Sequence, residues 1–235
     1  MYNGEKNPDH AADKFIRAVD PTEAEKIQAK LRRHCIVERT IDTCEIRYIA
    51  GTDAAYSQDT IYAAVVVMTF PALDIVEKTY AIEEIRFPYI PGLLSFREGP
   101  AVVNAFLSLT TVPDLILING HGYAHPKRMG IASHLGVVLD LPSIGVAQRL
   151  LTGIAAMPGT GRGSIEPILD NNEVIGKAVR TVEGSKPVFV SAGHKVDLAQ
   201  AVDLALKTTV THRLTEPIWH ADRLSRQCRK DQTGS

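Results

Sequence analysis

The spacing of apolar positions changes along the chain, and each change predicts a different kind of element. From residue 45 onward, runs of apolar residues bounded by turn residues replace the helical spacing that precedes them. These runs predict strands over residues 46–50, 61–70 and 75–85, joined by turns at 57–60 and 71–74. Because links this short connect antiparallel neighbours, we expect the three strands to form an antiparallel sheet.

Helical signals precede these strands. Asp20 can cap a helix, Pro21 needs no donor at the first helical position, and Glu23 stands at the reciprocal capping position, so a helix is predicted to begin here. Ile27 and Leu31 then mark one apolar face.

Helices and strands alternate in the rest of the chain. Helical spacing returns over residues 100–110, 129–138 and 198–210, while residues 115–118 and 143–147 are short apolar runs. The order strand, helix, strand around residues 129–138 predicts parallel pairing. The predicted fold class is therefore α/β, with a mixed sheet of three antiparallel strands followed by parallel strands, flanked by helices. Further strands are predicted over residues 173–182 and 187–191.

The composition narrows the class of protein. The 235 residues are 45% hydrophobic, which is enough for one globular domain, and the net charge of −1 gives no bulk attraction to nucleic acid. Three scattered cysteines without a CxxC pair favour a reducing compartment, so we expect a cytoplasmic protein. No run approaches the ~20 apolar residues of a membrane span, so no membrane partner is expected.

The polarity of the ends suggests three segments. We predict a polar N-terminal extension over residues 1–19, a single domain over 20–222 and a basic polar tail over 223–235. The basic residues of the tail indicate a solvated helix end, with a contact to the backbone of nucleic acid as the alternative.

Polar side chains stand at the ends of several predicted strands. Asn119 follows the run 115–118, Asp53 follows the first strand, His194 ends a later one, and Glu98 lies at the start of the helix predicted over 100–110. Each has an ordinary explanation, since Asn and Asp form turns, an acid favours a helix N-terminus, and a lone histidine is usually structural. Together they match the plan of a metal-dependent phosphodiesterase.

The loop after Asn119 is rich in glycine, histidine and positive charge. His121 and His125 have the interval of a zinc helix, but the neighbouring glycines and proline argue against a helix, so zinc is not expected. The glycines can let a flat ring approach the backbone, and Lys127 and Arg128 can hold phosphates, against the simpler interpretation of a solvated turn.

Four motifs in the central part of the chain strongly resemble endonuclease V, over residues 88–98, 120–122, 124–126 and 130–136. The resemblance implies an RNase H-like fold and a magnesium-dependent enzyme, with Mn²⁺ as the alternative ion. It also implies that the partner is DNA or RNA containing inosine, whose base is hypoxanthine. The family cuts on the 3′ side, one nucleotide beyond this base.

The resemblance assigns metal and catalytic roles at matching positions. It implies that Asp53 ligates the metal, that Glu98 holds the metal or its water shell, and that His194 assists at the same edge. Asn119 stands where the family has Asp in the metal set, and Gln148 stands where the family has a catalytic Lys. Hard cations prefer carboxylate to amide, so metal affinity is expected to fall, and losing the lysine removes a cation expected near the scissile phosphate.

The same resemblance implies a wedge that fills the space left by a flipped base, and a pocket that holds the base. The phosphate contacts remain assigned to Lys127 and Arg128. The predicted wedge consists of Pro88, Tyr89, Ile90 and Pro91, and the predicted base pocket of Gly92, Leu94, Gly120, His125 and Ile131.

Three alternatives stay open within this resemblance. The protein can be an endonuclease with reduced or altered metal dependence, or a catalytically impaired protein that still binds inosine in nucleic acid. The third is that one or both substitutions were engineered to trap a complex. A fourth alternative, from another class, is a structural or regulatory protein in which the cleft that binds the base in the family binds a different ligand. The sequence indicates no protein partner and does not separate DNA from RNA.

Overall fold

A computed structural model describes residues 16–234. Residues 1–15, which make up most of the predicted N-terminal extension, lie outside the described part. None of the described helices is long and apolar enough to cross a membrane. The helices are α1 (Pro21–Arg32), α2 (Leu94–Leu107), α3 (Ile131–Leu139), α4 (Leu198–Lys207) and α5 (Glu216–Thr233).

The strands belong to one sheet, whose order is β3-β2-β1-β4-β5-β9-β8-β7-β6. The first three strands form an antiparallel meander, β4 pairs parallel to β1, and β5 pairs parallel to β4. This arrangement confirms the predicted mixed sheet. The strands are β1 (Tyr48–Ser57), β2 (Thr60–Thr69), β3 (Ile75–Glu84), β4 (Leu115–Ile118), β5 (Ser143–Ala147), β6 (Ile154–Ala155), β7 (Ile165–Asp170), β8 (Glu173–Val179) and β9 (Val188–His194).

Helices cover both faces of the sheet, which explains why β4 is apolar at every position. Leu115 and Leu117 join the core under α4 and α5, whereas Ile116 and Ile118 join the core under α2 and α3. A strand buried on both faces has no position left for a polar side chain. The first polar residue after β4 therefore stands where the sheet ends.

The first helix begins as predicted. The Asp20 side chain accepts a hydrogen bond from the Glu23 N–H at 2.9 Å, and Glu23 Oε2 accepts one from the Val19 N–H at 2.8 Å. These bonds satisfy donors that a helix N-terminus leaves free. Ala24, Gln28 and Leu31 form the buried face of α1.

Three elements differ from the prediction. β1 continues to Ser57, because it pairs along its whole length with β2 in a tight hairpin. α2 begins at Leu94 rather than at Pro100, which lies inside the helix. A ribbon made of β6 and β7 was not predicted, since β6 has only two residues and β7 contains a proline.

The C-terminal helix α5 packs over β1 and β2. Its N-terminal end lies so close to the sheet that a Cβ on Gly51 would stand 2.0 Å from the Pro217 carbonyl carbon. Further along, Cys228 is buried in a cluster with Ala55 and Tyr62. The helix therefore follows β1 and carries its side chains past the end of β4.

Candidate active site

Asp53 and Asn119 meet where β4 ends. The last parallel pair is Thr52 with Ile118, and the Asn119 N–H then donates to the Thr52 carbonyl at 3.2 Å. The Asn119 amide donates through Nδ2 to Asp53 Oδ1 at 3.0 Å. Asp53 thus lies inside β1, not beyond it as predicted, but at the expected edge of the sheet.

A second carboxylate completes this edge and was missed by sequence analysis. The side chain of Asp222, on α5, lies next to that of Asp53 and contributes to the shift of its pKa. The pKa of Asp53 lies well above its usual range, first because of burial, then because of this contact, then because of the nearby negative charge of Glu98. Two neighbouring carboxylates repel each other when both are ionised, and a cation between them would relieve that repulsion. Arg226 Nη2 also lies 2.8 Å from Asp222 Oδ1.

Glu98 approaches the same edge from the other side of the sheet. Since α2 starts at Leu94, Glu98 lies in the second helical turn and not at the N-terminus where it was expected. The Tyr56 hydroxyl donates to Glu98 Oε1, and the Arg97 guanidinium stands 5.2 Å from the centre of the Tyr56 ring. Burial raises the pKa of Glu98 to about 7, although the Tyr56 hydrogen bond and the Arg97 charge both act to lower it.

The donor set at this edge suits a hard divalent cation, because it is rich in oxygen. Among the described residues, no three His, Cys, Asp or Glu side chains already converge as a group that could hold a metal. Asn119 contributes an amide and no carboxylate, and this amide directs a hydrogen to Asp53 where a cation needs an oxygen. Turning that amide would present Oδ1 beside Asp53 and Asp222.

His194 does not join this edge. β9 runs antiparallel to β5, so its last residue pairs with Ser143, at the start of β5. His194 therefore lies at the opposite end of the strands from Asp53 and Asn119. There His194 Nδ1 accepts from the Ile36 N–H at 3.2 Å, and Nε2 lies 3.8 Å from Asp140 Oδ1. Burial is the main cause that lowers its pKa to about 4. The prediction that His194 assists Asp53 is therefore wrong, and its contacts are structural.

The edge of the sheet that carries Asp53, Asp222 and Glu98 is here called the carboxylate edge. A cavity of about 280 Å³ lies beside it and is lined by every predicted pocket residue. Two segments form its walls: residues 88–93, here called the wedge loop, and residues 119–130, the base loop. The chain also supplies Arg149, Leu150 and Leu151, which were not predicted, because nothing in their sequence separates them from an ordinary turn. The predicted residues in the lining are Gly92, Leu94, Gly120, His125 and Ile131.

Backbone geometry explains the glycines of this cavity. Gly92 has a φ of +89°, a conformation that side chains rarely adopt. A Cβ on Gly120 would stand 2.5 Å from Ile131 Cγ2, so only glycine lets the start of the base loop pack against the start of α3. The cavity is therefore bounded by backbone at two positions.

His125 links the two walls as a neutral side chain. Its Nδ1 accepts from the Lys127 N–H at 3.1 Å, which leaves Nε2 to donate to the Gly92 carbonyl at 3.0 Å. Burial, the largest cause, lowers its pKa to about 4, so the ring stays neutral at physiological pH.

Tyr89 projects from the wedge loop and is 67% exposed. The loop is anchored behind it, because Phe87 is buried and its carbonyl accepts from Arg97 Nη1 at 2.9 Å. Of the other three predicted wedge residues, Ile90 and Pro91 line the cavity, whereas Pro88 is exposed and does not line it. An exposed ring on an anchored loop can stack on a base, and the wedge role stays a prediction.

The two predicted phosphate contacts differ. Lys127 is exposed, whereas Arg128 forms ion pairs with Asp170 at 2.8 Å and with Glu173 at 2.7 Å. Two carboxylates compensate the charge of Arg128, so its surroundings favour a structural role.

Gln148 lies just beyond β5 and is exposed. Its Oε1 accepts from Arg213 Nη2 at 3.1 Å. A positive charge therefore stands next to position 148 even though the residue itself is neutral, which sequence analysis did not anticipate.

Comparisons with known proteins point to one family. The family model described as Endonuclease V matches residues 29–223. Endonuclease V of Dictyoglomus thermophilum is 42% identical over 205 residues, which cover 87% of this chain and 89% of the relative. The crystal structure of endonuclease V from Streptomyces avermitilis is 42% identical, with a TM-score of 0.88 over 92% of this chain and 96% of that one.

A further solved structure contains nucleic acid. It is endonuclease V of Ciona intestinalis in complex with a 24mer DNA containing an inosine followed by a ribo-adenosine. This chain is 29% identical to it, with a TM-score of 0.78 over 89% of this chain and 98% of that one.

Proposed function

The chain belongs to the endonuclease V family of nucleases, and from this premise we propose that it hydrolyses the phosphodiester bond 3′ to a flipped hypoxanthine in DNA or RNA. The observation that carries the proposal is the adjacency of Asn119 and Gly120. Asn119 bonds to Asp53 at the carboxylate edge, while Gly120 lines the cavity. A base in the cavity would thus bring its own backbone to the carboxylates.

The cavity favours a single base as the ligand. Its volume of about 280 Å³ stands at the lower end of the range of roughly 300–1,000 Å³ that is typical of small-molecule sites, which leaves room for one base. The exposed ring of Tyr89 stands at its rim, where it can fill the space that a flipped base leaves in the strand. This combination supports nucleic acid with inosine as the partner.

We propose Mg²⁺ as the ion held at the carboxylate edge, with Asp53, Asp222 and the amide oxygen of Asn119 as ligands. When bound, such an ion polarises the phosphate and lowers the pKa of a bound water. Asp53 and Asp222 hold the negative charge that attracts the ion. The Tyr56 hydroxyl holds Glu98 through Oε1, which leaves Oε2 to orient water at the same edge.

The neutral amide at position 119 weakens this arrangement. Its hydrogen bond to Asp53 must break before its oxygen can face an ion, and an amide compensates less of the charge than a carboxylate would. Position 148 is less affected, since Arg213 keeps positive charge beside it. We therefore propose an attenuated endonuclease whose base recognition is intact. We also propose that it is cytoplasmic, because its three scattered cysteines favour a reducing compartment.

The second candidate is an inosine-binding protein that does not cut, and the Asn119 hydrogen bond to Asp53 is the observation that favours it. An end-labelled strand with one inosine, incubated with Mg²⁺ and separately with Mn²⁺, distinguishes the two. We expect binding in both ions and slow cleavage, faster with Mn²⁺. Binding without any cleavage would leave the second candidate, and equal binding to the matched adenosine strand would reject both.

A further inference from the structure

Gln28 is a polar side chain on the apolar face of α1. It lies between Ala24 and Leu31, the other buried residues of this helix, and is 2% exposed. Burying an amide without hydrogen-bond partners is costly, so a glutamine at such a position needs specific acceptors. A methionine or leucine would otherwise suit this face of the helix better.

The side-chain amide nitrogen of Gln28 donates hydrogen bonds to two carbonyls from different parts of the chain. Nε2 donates to the Gly92 carbonyl at 2.8 Å and to the Met129 carbonyl at 2.9 Å. Both lengths are those of good hydrogen bonds. Gly92 belongs to the wedge loop and Met129 to the base loop, so one side chain ties the two walls of the cavity together.

The two carbonyls stand at the cavity itself. Gly92 lines the cavity, and Met129 directly precedes Gly130 and Ile131, which line it as well. The Gly92 carbonyl also accepts from His125 Nε2 at 3.0 Å. The wedge loop is therefore held at one atom by donors from α1 and from the base loop.

We propose that Gln28 is a positioning residue for the base pocket, which sets the separation of the wedge loop and the base loop and thereby the preference for inosine over adenosine. This inference rests on the proposed function. It means that base recognition depends on a residue of α1 that does not itself line the cavity.

The chemistry of the two bases explains why separation matters. Hypoxanthine presents an acceptor oxygen at position 6 and a donor N–H at position 1, whereas adenine presents the reverse at both positions. A pocket walled by backbone groups can separate them only if its N–H and C=O groups stand at hydrogen-bonding distance and angle. Hydrogen bonds weaken steeply with angle, so a small displacement of one wall reduces discrimination more than it reduces binding to the backbone of the strand.

The test compares Gln28→Met with Leu31→Ala. Methionine has nearly the same length and volume but no N–H, whereas Leu31→Ala loosens the same helix without touching the cavity. Binding of fluorescein-labelled strands with one inosine, or with adenosine in its place, is measured by anisotropy in EDTA, so that no strand is cut. Thermal unfolding of each variant fixes a temperature at which all are folded.

We expect Gln28→Met to reduce the inosine-to-adenosine affinity ratio by about tenfold, the effect of one lost or misaligned hydrogen bond. Leu31→Ala should keep the wild-type ratio even if it unfolds at a lower temperature. Gln28→Asn, whose amide is one methylene shorter and reaches one carbonyl, should give an intermediate ratio.

Two results would overturn the inference. One is a wild-type ratio in Gln28→Met, and the other is an equal fall of the ratio in Leu31→Ala. Failure of the proposed function has a different signature, since the wild-type protein itself would then show no preference for inosine.

Discussion

The side-chain amide of Asn119 donates a hydrogen bond to Asp53 Oδ1 at 3.0 Å, in the space where a cation would otherwise compensate that carboxylate. The amide stabilises ionised Asp53 and so replaces part of the effect of a metal ion. The same contact withholds its oxygen from an ion. The Asn119 amide is therefore expected to stabilise the protein without metal and, for the same reason, to lower its affinity for a metal ion.

Asn119→Asp should reverse this balance. A third carboxylate beside Asp53 and Asp222 strengthens the attraction for Mg²⁺, and we expect the ion concentration for half-maximal cleavage to fall about tenfold or more, roughly 1.4 kcal/mol. In EDTA the same variant should unfold at a lower temperature, because the hydrogen bond becomes a repulsion. Cleavage titrations and thermal unfolding measure the two effects.

Asn172→Asp is the matched control, since it adds the same charge at an exposed turn. It should leave the Mg²⁺ requirement for cleavage unchanged. An unchanged Mg²⁺ requirement in Asn119→Asp would contradict the proposed metal position. Because asparagine before glycine deamidates readily, peptide mass spectrometry should confirm that the wild-type protein carries Asn119.

The raised pKa of Glu98 predicts a pH dependence of stability without metal. Its pKa is about 7 in the folded protein against an ordinary value of 4.5, so folding favours the protonated form. The stability contribution is complete below pH 4.5 and is lost as the pH rises through about 7. We expect this loss to amount to about 2–3 kcal/mol between pH 4.5 and pH 8.

Urea unfolding in EDTA at pH 4.5 and pH 8 measures this loss. Glu98→Gln is neutral at both values and keeps an oxygen for the Tyr56 hydroxyl, so its stability should fall less with rising pH. The raised pKa of Asp53 acts in the same direction, and because part of that shift comes from the charge of Glu98, the difference between the two proteins reports Glu98 together with its effect on Asp53. Equal losses would contradict the prediction.

Tyr89 should matter for binding but not for folding. Since its side chain is 67% exposed, Tyr89→Ala should change the free energy of unfolding by less than about 0.5 kcal/mol. Loss of a stacking contact should weaken binding of an inosine strand by about 1–3 kcal/mol. Tyr80→Ala, at another exposed tyrosine on β3, is the control and should leave binding unchanged. Equal affinities of Tyr89→Ala and wild type would remove the wedge role.

Local pattern was sufficient to predict the site near β4. Four buried residues in a row and the turn-forming pair Asn119–Gly120 mark a strand end, and no distant contact is needed to find it. Pro100 misled the prediction of α2, because proline is common in the first turn of a helix but here lies in the interior. That error put Glu98 at a helix end, although it lies in the second turn.

Strand direction and helix docking could not be read from local pattern. In the sequence, Asp53 and His194 are both polar residues beside predicted strands. Only the antiparallel pairing of β9 shows that His194 belongs to the opposite edge. Asp222 has the spacing of an exposed helical acid, with Arg226 one turn later as its ion-pair partner. Its role depends on the path of α5 along β1, which the close approach of Gly51 and Pro217 permits.

Asp222, and not His194, lies beside Asp53, and variants of these two residues give the sharpest test of the site. Asp222→Asn should abolish cleavage while keeping inosine binding, because an amide cannot supply the second negative charge at the metal position. Without metal the variant should be at least as stable as wild type, since the new amide can donate a hydrogen bond to Asp53 where a second carboxylate stood.

His194→Ala should do the opposite. The Ile36 N–H loses its acceptor, which should lower the free energy of unfolding by about 1–2 kcal/mol, while cleavage per folded molecule stays at the wild-type level. Urea unfolding and single-turnover cleavage, measured on the same preparations, give both quantities. Loss of cleavage in His194→Ala at unchanged stability, or full cleavage in Asp222→Asn, would show that the catalytic edge has been assigned to the wrong side of the sheet.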